Sequence, residues 1–182
     1  MALTPGLRKL ALTAHVMASV GWLGAVVAFL ALSVVGLTSQ DPQTVRGAYV
    51  VMERTGWVVL VPLSLASLLT GLVSSLGSIW GLFRHYWVLF KLLINVVASI
   101  VLLLYMQTLD HLADVAAATT LSRSDLRGDP SPTLHAAAAL LLLLVATTLA
   151  IYKPQGMTRY GQRRQQQRRA LAGSLERSHS AN

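Results

Sequence analysis

The sequence predicts an all-α protein, an integral membrane four-helix bundle, and three observations support this prediction. Hydrophobic residues make up 54% of the 182 residues and charged residues only 12%, whereas a soluble domain carries about 25% charged residues. The apolar residues gather in four runs, each able to hold the ~20 residues of a membrane helix. The alternating pattern of a transmembrane β-barrel is absent. This composition excludes an ordinary soluble enzyme, and zero cysteines exclude disulfides and thiolate chemistry.

Ionisable residues mark the limits of the four runs. The first run contains one histidine, the second no ionisable residue, the third one lysine and the fourth one histidine. Because a backbone in lipid must satisfy its own hydrogen bonds, each run is expected to be a helix. The predicted spans are residues 10–35, 57–80, 86–106 and 134–152.

The residues around each span indicate how it begins and ends. The first span follows two basic residues, as a signal peptide does, but it is longer than the roughly 7–15 apolar residues of a signal peptide, so we expect it to be retained. Asp41-Pro42 predicts the start of a short interfacial helix that leads into the second span. Pro62 is expected to kink that span.

The third helix is expected to continue past the membrane to Asp114 and to break in the polar stretch 122–132. Ser131-Pro132 then predicts the start of the fourth span. The chain therefore divides into a four-transmembrane-helix domain, 1–152, and a basic tail, 153–182, which is expected to be disordered or loosely helical.

The basic tail decides the predicted topology. It holds seven Lys and Arg residues against one acid, in a chain of net charge +8. Positive charge beside a span marks the cytoplasmic side, so we expect a multi-pass plasma-membrane protein with both termini in the cytoplasm. The tail also suits contact with anionic lipid. Since no recognition module accompanies the charge, nucleic acid is not an expected partner.

Polar residues of all four spans, including Thr147 and Thr148 in the fourth, fall at one depth in the predicted cytoplasmic leaflet. His15 and Lys91 each lie five residues inside their spans, roughly 7–8 Å deep by helical rise, and neighbouring turns add further polar residues. Ionisable residues within a span are costly and are therefore functional candidates. The candidate cofactor-binding residues are His15, Trp22, Thr70, Ser74, Lys91 and Asn95.

Plainer interpretations of these residues remain open. Lys91 can extend its four-carbon stem to the headgroups, and His15 can be a hydrogen-bonded residue between packed helices. Small residues allow helices to approach closely. The small-residue positions are Ser67, Gly71 and Ser75 in the second span and Gly24 and Ala28 in the first.

A second polar group is predicted at the opposite surface. Asp110, His111 and Asp114 follow one another on the extended third helix, and His135 begins the fourth span at a similar level. Imidazoles and carboxylates bind zinc or copper. The alternative is a wet polar interface without metal, and the scattered methionines weaken a copper-export interpretation.

Short motifs resemble known families. His15-Val-Met-Ala-Ser-Val-Gly-Trp22-Leu-Gly24 resembles the first helix of the copper-resistance D proteins and of the membrane-bound bacterial protoporphyrinogen oxidase. Trp87-Val-Leu-Phe-Lys91 resembles a motif in the third helix of that oxidase, and Thr70-Gly71-Leu72 matches a triplet common in these proteins. Residues 68–93 are similar to an uncharacterised family of four-helix bacterial integral membrane proteins, a similarity that extends over residues 5–152.

These resemblances imply a location in the bacterial inner membrane. The oxidase resemblance implies b-type haem, with His15 and Lys91 at the functional positions. Val88, Leu89 and Phe90 stand where the oxidase pattern has a histidine. From the residues alone, His15 suits a lone axial ligand and Lys91 a haem propionate. His85 lies about 9 Å nearer the cytoplasm by helical rise, too far for an easy second ligand.

Three functions remain open at this point. The first is a haem- or porphyrin-binding membrane redox protein centred on His15 and Lys91. The second is a copper or zinc handling or transport protein, and the third is a structural or accessory membrane protein without a cofactor. A redox or membrane-protein partner is consistent with each of them. No nucleophile–base set or phosphate loop occurs, so the only enzymatic activity considered is a haem-linked membrane oxidoreductase.

Overall fold

The computed structural model describes residues 4–76, 85–118, 129–152, 156 and 158–180. These residues form helices and no strands, which confirms the all-α prediction. The helices are α1 (Pro5–Thr38), α2 (Pro42–Thr55), α3 (Val61–Leu76), α4 (Tyr86–Ala117), α5 (Ser131–Tyr152) and α6 (Arg159–Ser180). A π-helical turn, Gly56–Leu60, joins α2 to α3, so Pro42–Leu76 is one continuous helix.

Four helices are long and apolar enough to cross a membrane: α1, Pro42–Leu76, α4 and α5. Their outward faces carry large apolar side chains, such as Val58 with 71% and Leu104 with 65% of its surface exposed. Monomeric soluble proteins rarely expose large apolar patches. These surfaces are therefore those of a multi-pass membrane protein.

The helix limits agree with the predicted starts of the third and fourth helices. The third helix begins at Tyr86 and continues to Ala117, so it does extend past the predicted span. The fourth begins at Ser131, whose backbone N–H donates to the Asp129 carboxylate at 2.8 Å. The predicted end of the second span and most of the predicted break at 122–132 lie outside the described residues.

The predicted interfacial helix runs into the second span without a break, because Pro42–Leu76 is one continuous helix. Just before Pro62, where a kink was expected, the helix widens into a π turn. Proline has no N–H to donate to the carbonyl four residues earlier. In the π turn, the Val61 N–H donates to the Gly56 carbonyl, five residues earlier. The irregular hydrogen bonding therefore lies on the N-terminal side of Pro62.

Asp41 caps α2, as predicted. Its carboxylate accepts hydrogen bonds from the Thr44 hydroxyl at 2.6 Å and from the backbone N–H groups of Thr44 and Gln43. The hydrogen bond from the Thr44 side chain, followed by those from the backbone, lowers the pKa of Asp41.

In the basic tail, where disorder or a loose helix was predicted, the structure has the helix α6.

The four long helices pack in a ring. α1 contacts the Pro42–Leu76 helix and α5, and α4 contacts the same two helices. We call the end of the bundle near residues 5, 76, 86 and 152 the terminal end, and the end near residues 38, 42, 117 and 131 the loop end. The main core lies toward the loop end and includes Trp22, Phe29, Tyr49, Met52, Met106 and Leu109. The terminal half is where the polar residues meet.

Candidate functional site

His15 is held between α1 and α3 by its ring nitrogen Nδ1. Nδ1 lies 3.1 Å from the carbonyl oxygen of Ser67 and 3.4 Å from the hydroxyl of Thr70. Because a carbonyl oxygen only accepts, Nδ1 must carry the proton in the first contact. In the neutral imidazole this leaves Nε2 with a free lone pair.

Gly71 provides the surface on which the imidazole rests. A Cβ atom at Gly71 would lie 2.9 Å from Cε1 and 3.2 Å from Nδ1 of His15. The small-residue interpretation is therefore confirmed at Gly71. It is wrong at Gly24, where a Cβ atom would meet nothing within 4 Å, because that position faces away from the neighbouring helices.

Ser67 joins three helices. Its hydroxyl lies 2.9 Å from that of Ser19 on α1 and accepts from the side-chain amide of Asn95 on α4 at 3.3 Å. Ser67 is buried, so these contacts replace hydrogen bonds to water. We call this group the His15 cluster; it consists of His15, Ser19, Ser67, Thr70 and Asn95.

The cluster has hydrogen-bonding capacity left over. The Oδ1 atom of Asn95 and the hydroxyl of Ser74 are buried and have no hydrogen-bond partner within the part of the chain that the structure describes. The hydroxyl of Thr70, by contrast, donates to Ala66 at 2.5 Å within its own helix. Since buried polar atoms in proteins are nearly always paired, Asn95 and Ser74 can each take a further hydrogen bond.

Lys91 lies one helical turn from Asn95, toward the terminal end. Its Nζ atom is 5.3 Å from the centroid of the Trp87 ring, a cation–π distance. Trp87 lies one turn further toward the terminal end, so the Lys91 ammonium extends in that direction. This is the position expected of a lysine whose side chain extends toward the headgroups.

Trp22 and the threonines of α5 do not join the His15 cluster. Trp22 instead lines an apolar cavity of about 110 Å³ toward the loop end. The hydroxyls of Thr147 and Thr148 donate to carbonyls one turn earlier in their own helix, and both residues are exposed. Equal depth in the membrane therefore did not bring these polar groups of α5 together with those of α1, α3 and α4.

The residues predicted as metal ligands are dispersed. Asp110 accepts a hydrogen bond from the Trp57 indole at 2.8 Å, while His111 and Asp114 are exposed. His135 stacks on Tyr105 with ring centroids 4.0 Å apart, and its Nδ1 atom donates to the Ser131 carbonyl at 2.9 Å. Among the described residues, no three His, Asp or Glu side chains are grouped so that they could hold a metal ion.

Sequence reasoning underestimated Ser67, which it assigned to helix packing alone. The signal was the face that Ser67 shares with Thr70, Gly71 and Ser74, at intervals of three and four residues. A polar face of this kind opposite His15 is a hydrogen-bonding surface as well as a packing surface.

No protein-family model matches the sequence, and no curated protein or solved structure matches it either. The resemblance to the copper-resistance D proteins and to the oxidase therefore stays an expectation.

Proposed function

We propose that this chain is an integral membrane protein that binds a b-type haem, or a related porphyrin, through His15. The observation that carries the proposal is the hydrogen bond from Nδ1 to the Ser67 carbonyl. Histidines that bind metals usually donate their other ring N–H to a carbonyl or carboxylate, which fixes the ring and leaves the ligating nitrogen free. His15 has this arrangement, inside a helical bundle of the kind that holds cofactors on facing helices.

Neighbouring side chains suit the rest of such a group. The Lys91 ammonium can pair with a propionate carboxylate. Asn95, which donates to Ser67, and Ser74, one helical turn from Thr70 on α3, have free hydrogen-bonding capacity. The apolar cavity beside Trp22 is not the proposed site, since His15 does not line it. A bound haem would supply one-electron transfer, while His15 would hold the iron and Lys91 would offset the charge of a propionate.

The competing proposal is a structural or accessory bundle without a cofactor. The contacts of His15 with Ser67, Thr70 and Gly71 favour it as well, because they also make His15 a well-packed residue between two helices. A copper or zinc protein has less support, since the described residues assemble no metal-binding group.

Visible spectroscopy separates the two proposals. The detergent-purified protein, expressed with haem supplied, should give a reduced-minus-oxidised b-type spectrum, and His15→Ala should abolish it. His111→Ala is the matched control, because His111 is an exposed histidine of α4 far along the helix from Asn95 and should leave the spectrum unchanged.

Folding has to be checked in the same samples. Far-ultraviolet circular dichroism and gel filtration should be the same for wild type and His15→Ala, and added imidazole should restore part of the spectrum in the variant. A colourless wild-type protein would reject haem binding and favour the accessory bundle. A spectrum that survives His15→Ala would reject His15 as the ligand.

A further inference from the structure

The apolar cavity toward the loop end is separate from the His15 cluster. It lies between α1, α4 and α5, has a volume of about 110 Å³ and is lined by Trp22, Val26, Phe29, Ala98, Met106 and Ala139, among others. Cavities with such walls stay dry and take up apolar molecules; one of roughly 150 Å³ accepts benzene. The chemistry of the walls therefore selects a hydrocarbon segment.

The cavity opens sideways, between α4 and α5. Three of its lining residues are substantially exposed on the outer surface of the bundle: Val97 with 43%, Val101 with 45% and Leu142 with 39%. Ala138, also at the lining, is exposed as well. In a helix that crosses a membrane, these side chains face lipid. The mouth of the cavity therefore opens toward acyl chains.

The loop end of the cavity carries its polar groups. Tyr105 and His135 both line it, and their rings stack with centroids 4.0 Å apart. Ser131 donates to the Tyr105 hydroxyl at 3.2 Å, at the first residue of α5. Aromatic side chains with one polar tip are typical of the level where hydrocarbon meets headgroups. The cavity thus runs from an apolar interior to a polar rim, the profile of an amphiphile.

We propose that this cavity is a lipid-binding site that takes an acyl chain of a bilayer phospholipid, inserted laterally between α4 and α5. A segment of the lipid's acyl chain lies against Trp22, and the lipid headgroup lies near the level of Tyr105 and His135. The site needs no haem and does not depend on the proposed function.

Trp22 reports directly on the occupant, because it lines the cavity and only 2% of its surface is exposed. The probe is phosphatidylcholine with brominated acyl chains, since bromine quenches tryptophan emission only near contact. A protein that retains Trp22 alone (Trp57→Phe, Trp80→Phe, Trp87→Phe), purified without haem, is placed in nanodiscs of brominated or plain phosphatidylcholine. We expect a loss of Trp22 emission in the brominated lipid relative to the plain lipid.

Two variants in the same background test the location. Ala139→Phe fills the cavity, Ala138→Phe obstructs its exposed mouth, and each should restore the emission. Ala146→Phe is the control, a similar change on α5 at a position that does not line the cavity. Emission equal in the two lipids would overturn the proposal, and so would quenching that persists in both Ala139→Phe and Ala138→Phe. Circular dichroism of each variant establishes that it is folded.

Discussion

The contact between His15 and Gly71 shows how a single small residue determines a site. Glycine inside a helix is about 1 kcal/mol less favourable than alanine, yet α3 has glycine where the imidazole approaches its backbone. The close approach also lets the Nδ1 atom of His15 reach the Ser67 carbonyl. Gly71 is therefore a positioning residue for the proposed haem ligand.

Gly71→Ala should lower the free energy of unfolding in detergent. The gain in helix propensity is about 1 kcal/mol, but overpacking against the ring costs about 1–3 kcal/mol, because the new Cβ atom would lie 2.9 Å from Cε1. Denaturation followed by circular dichroism measures the change. Gly24→Ala is the control and should be neutral or stabilising, since that Cβ atom meets nothing within 4 Å. Equal stability of the two variants would contradict a tight contact at Gly71.

At the scale of elements, the π turn determines how the Pro42–Leu76 helix meets α4. Gly56 begins the turn and packs against Met106, whose side chain is fully buried. The next residue, Trp57, donates its indole N–H to Asp110 on α4. The turn thus places the apolar contact of Gly56 with Met106 next to the hydrogen bond from Trp57 to Asp110. The Asp110 carboxylate, which the sequence indicated as a metal ligand, accepts this hydrogen bond.

A double-mutant cycle with Trp57→Phe and Asp110→Ala tests this polar contact. Because the pair is partly exposed, we expect a coupling free energy of about 0.5–1 kcal/mol, at the low end for a hydrogen bond. The measurement is the free energy of unfolding of wild type, both single variants and the double variant. Strictly additive effects would show that the two side chains do not interact. Asp110→Asn, which retains an acceptor, should cost less than Asp110→Ala.

For the whole molecule, the asymmetry of charge predicts the orientation in the membrane. The helix α6 and its flanking residues hold most of the net positive charge, and they follow α5 at the terminal end. By the positive-inside rule we propose that the terminal end, with both termini, faces the cytoplasm. The same charge makes contact of α6 with anionic lipid a proposal, worth roughly 1 kcal/mol per basic residue near the surface.

Cysteine labelling tests the orientation cleanly, because the chain contains no cysteine. In intact cells, a membrane-impermeant maleimide should label Gln40→Cys, which is exposed between α1 and α2. It should label Gln166→Cys, exposed on α6, only after the membrane is permeabilised. The reverse pattern would invert the topology. The unsubstituted protein is the control and should not be labelled.

The helices themselves could be predicted from the sequence because each span carries its own information. A backbone in lipid has to form its hydrogen bonds internally, so the apolar runs and the polar residues that bound them were enough to place the starts of α4 and α5. The π turn was not predictable in this way. At this turn Gly56 packs against Met106, which belongs to another helix, so the pattern of a single span does not contain the contact.

The sequence predicted that polar residues of the spans would meet near one end of the bundle, but not which of them would be in contact. Helical rise determines the approximate depth of a residue along its helix, so Thr70 and Asn95 were placed about one turn deeper than His15. Which side of each helix faces inward is decided by rotation about its axis, and each residue turns the helix by about 100°. Packing against neighbours sets that rotation. Only the tertiary structure therefore made Ser67 the junction of three helices, directed Trp22 into the apolar cavity and left Thr147 exposed.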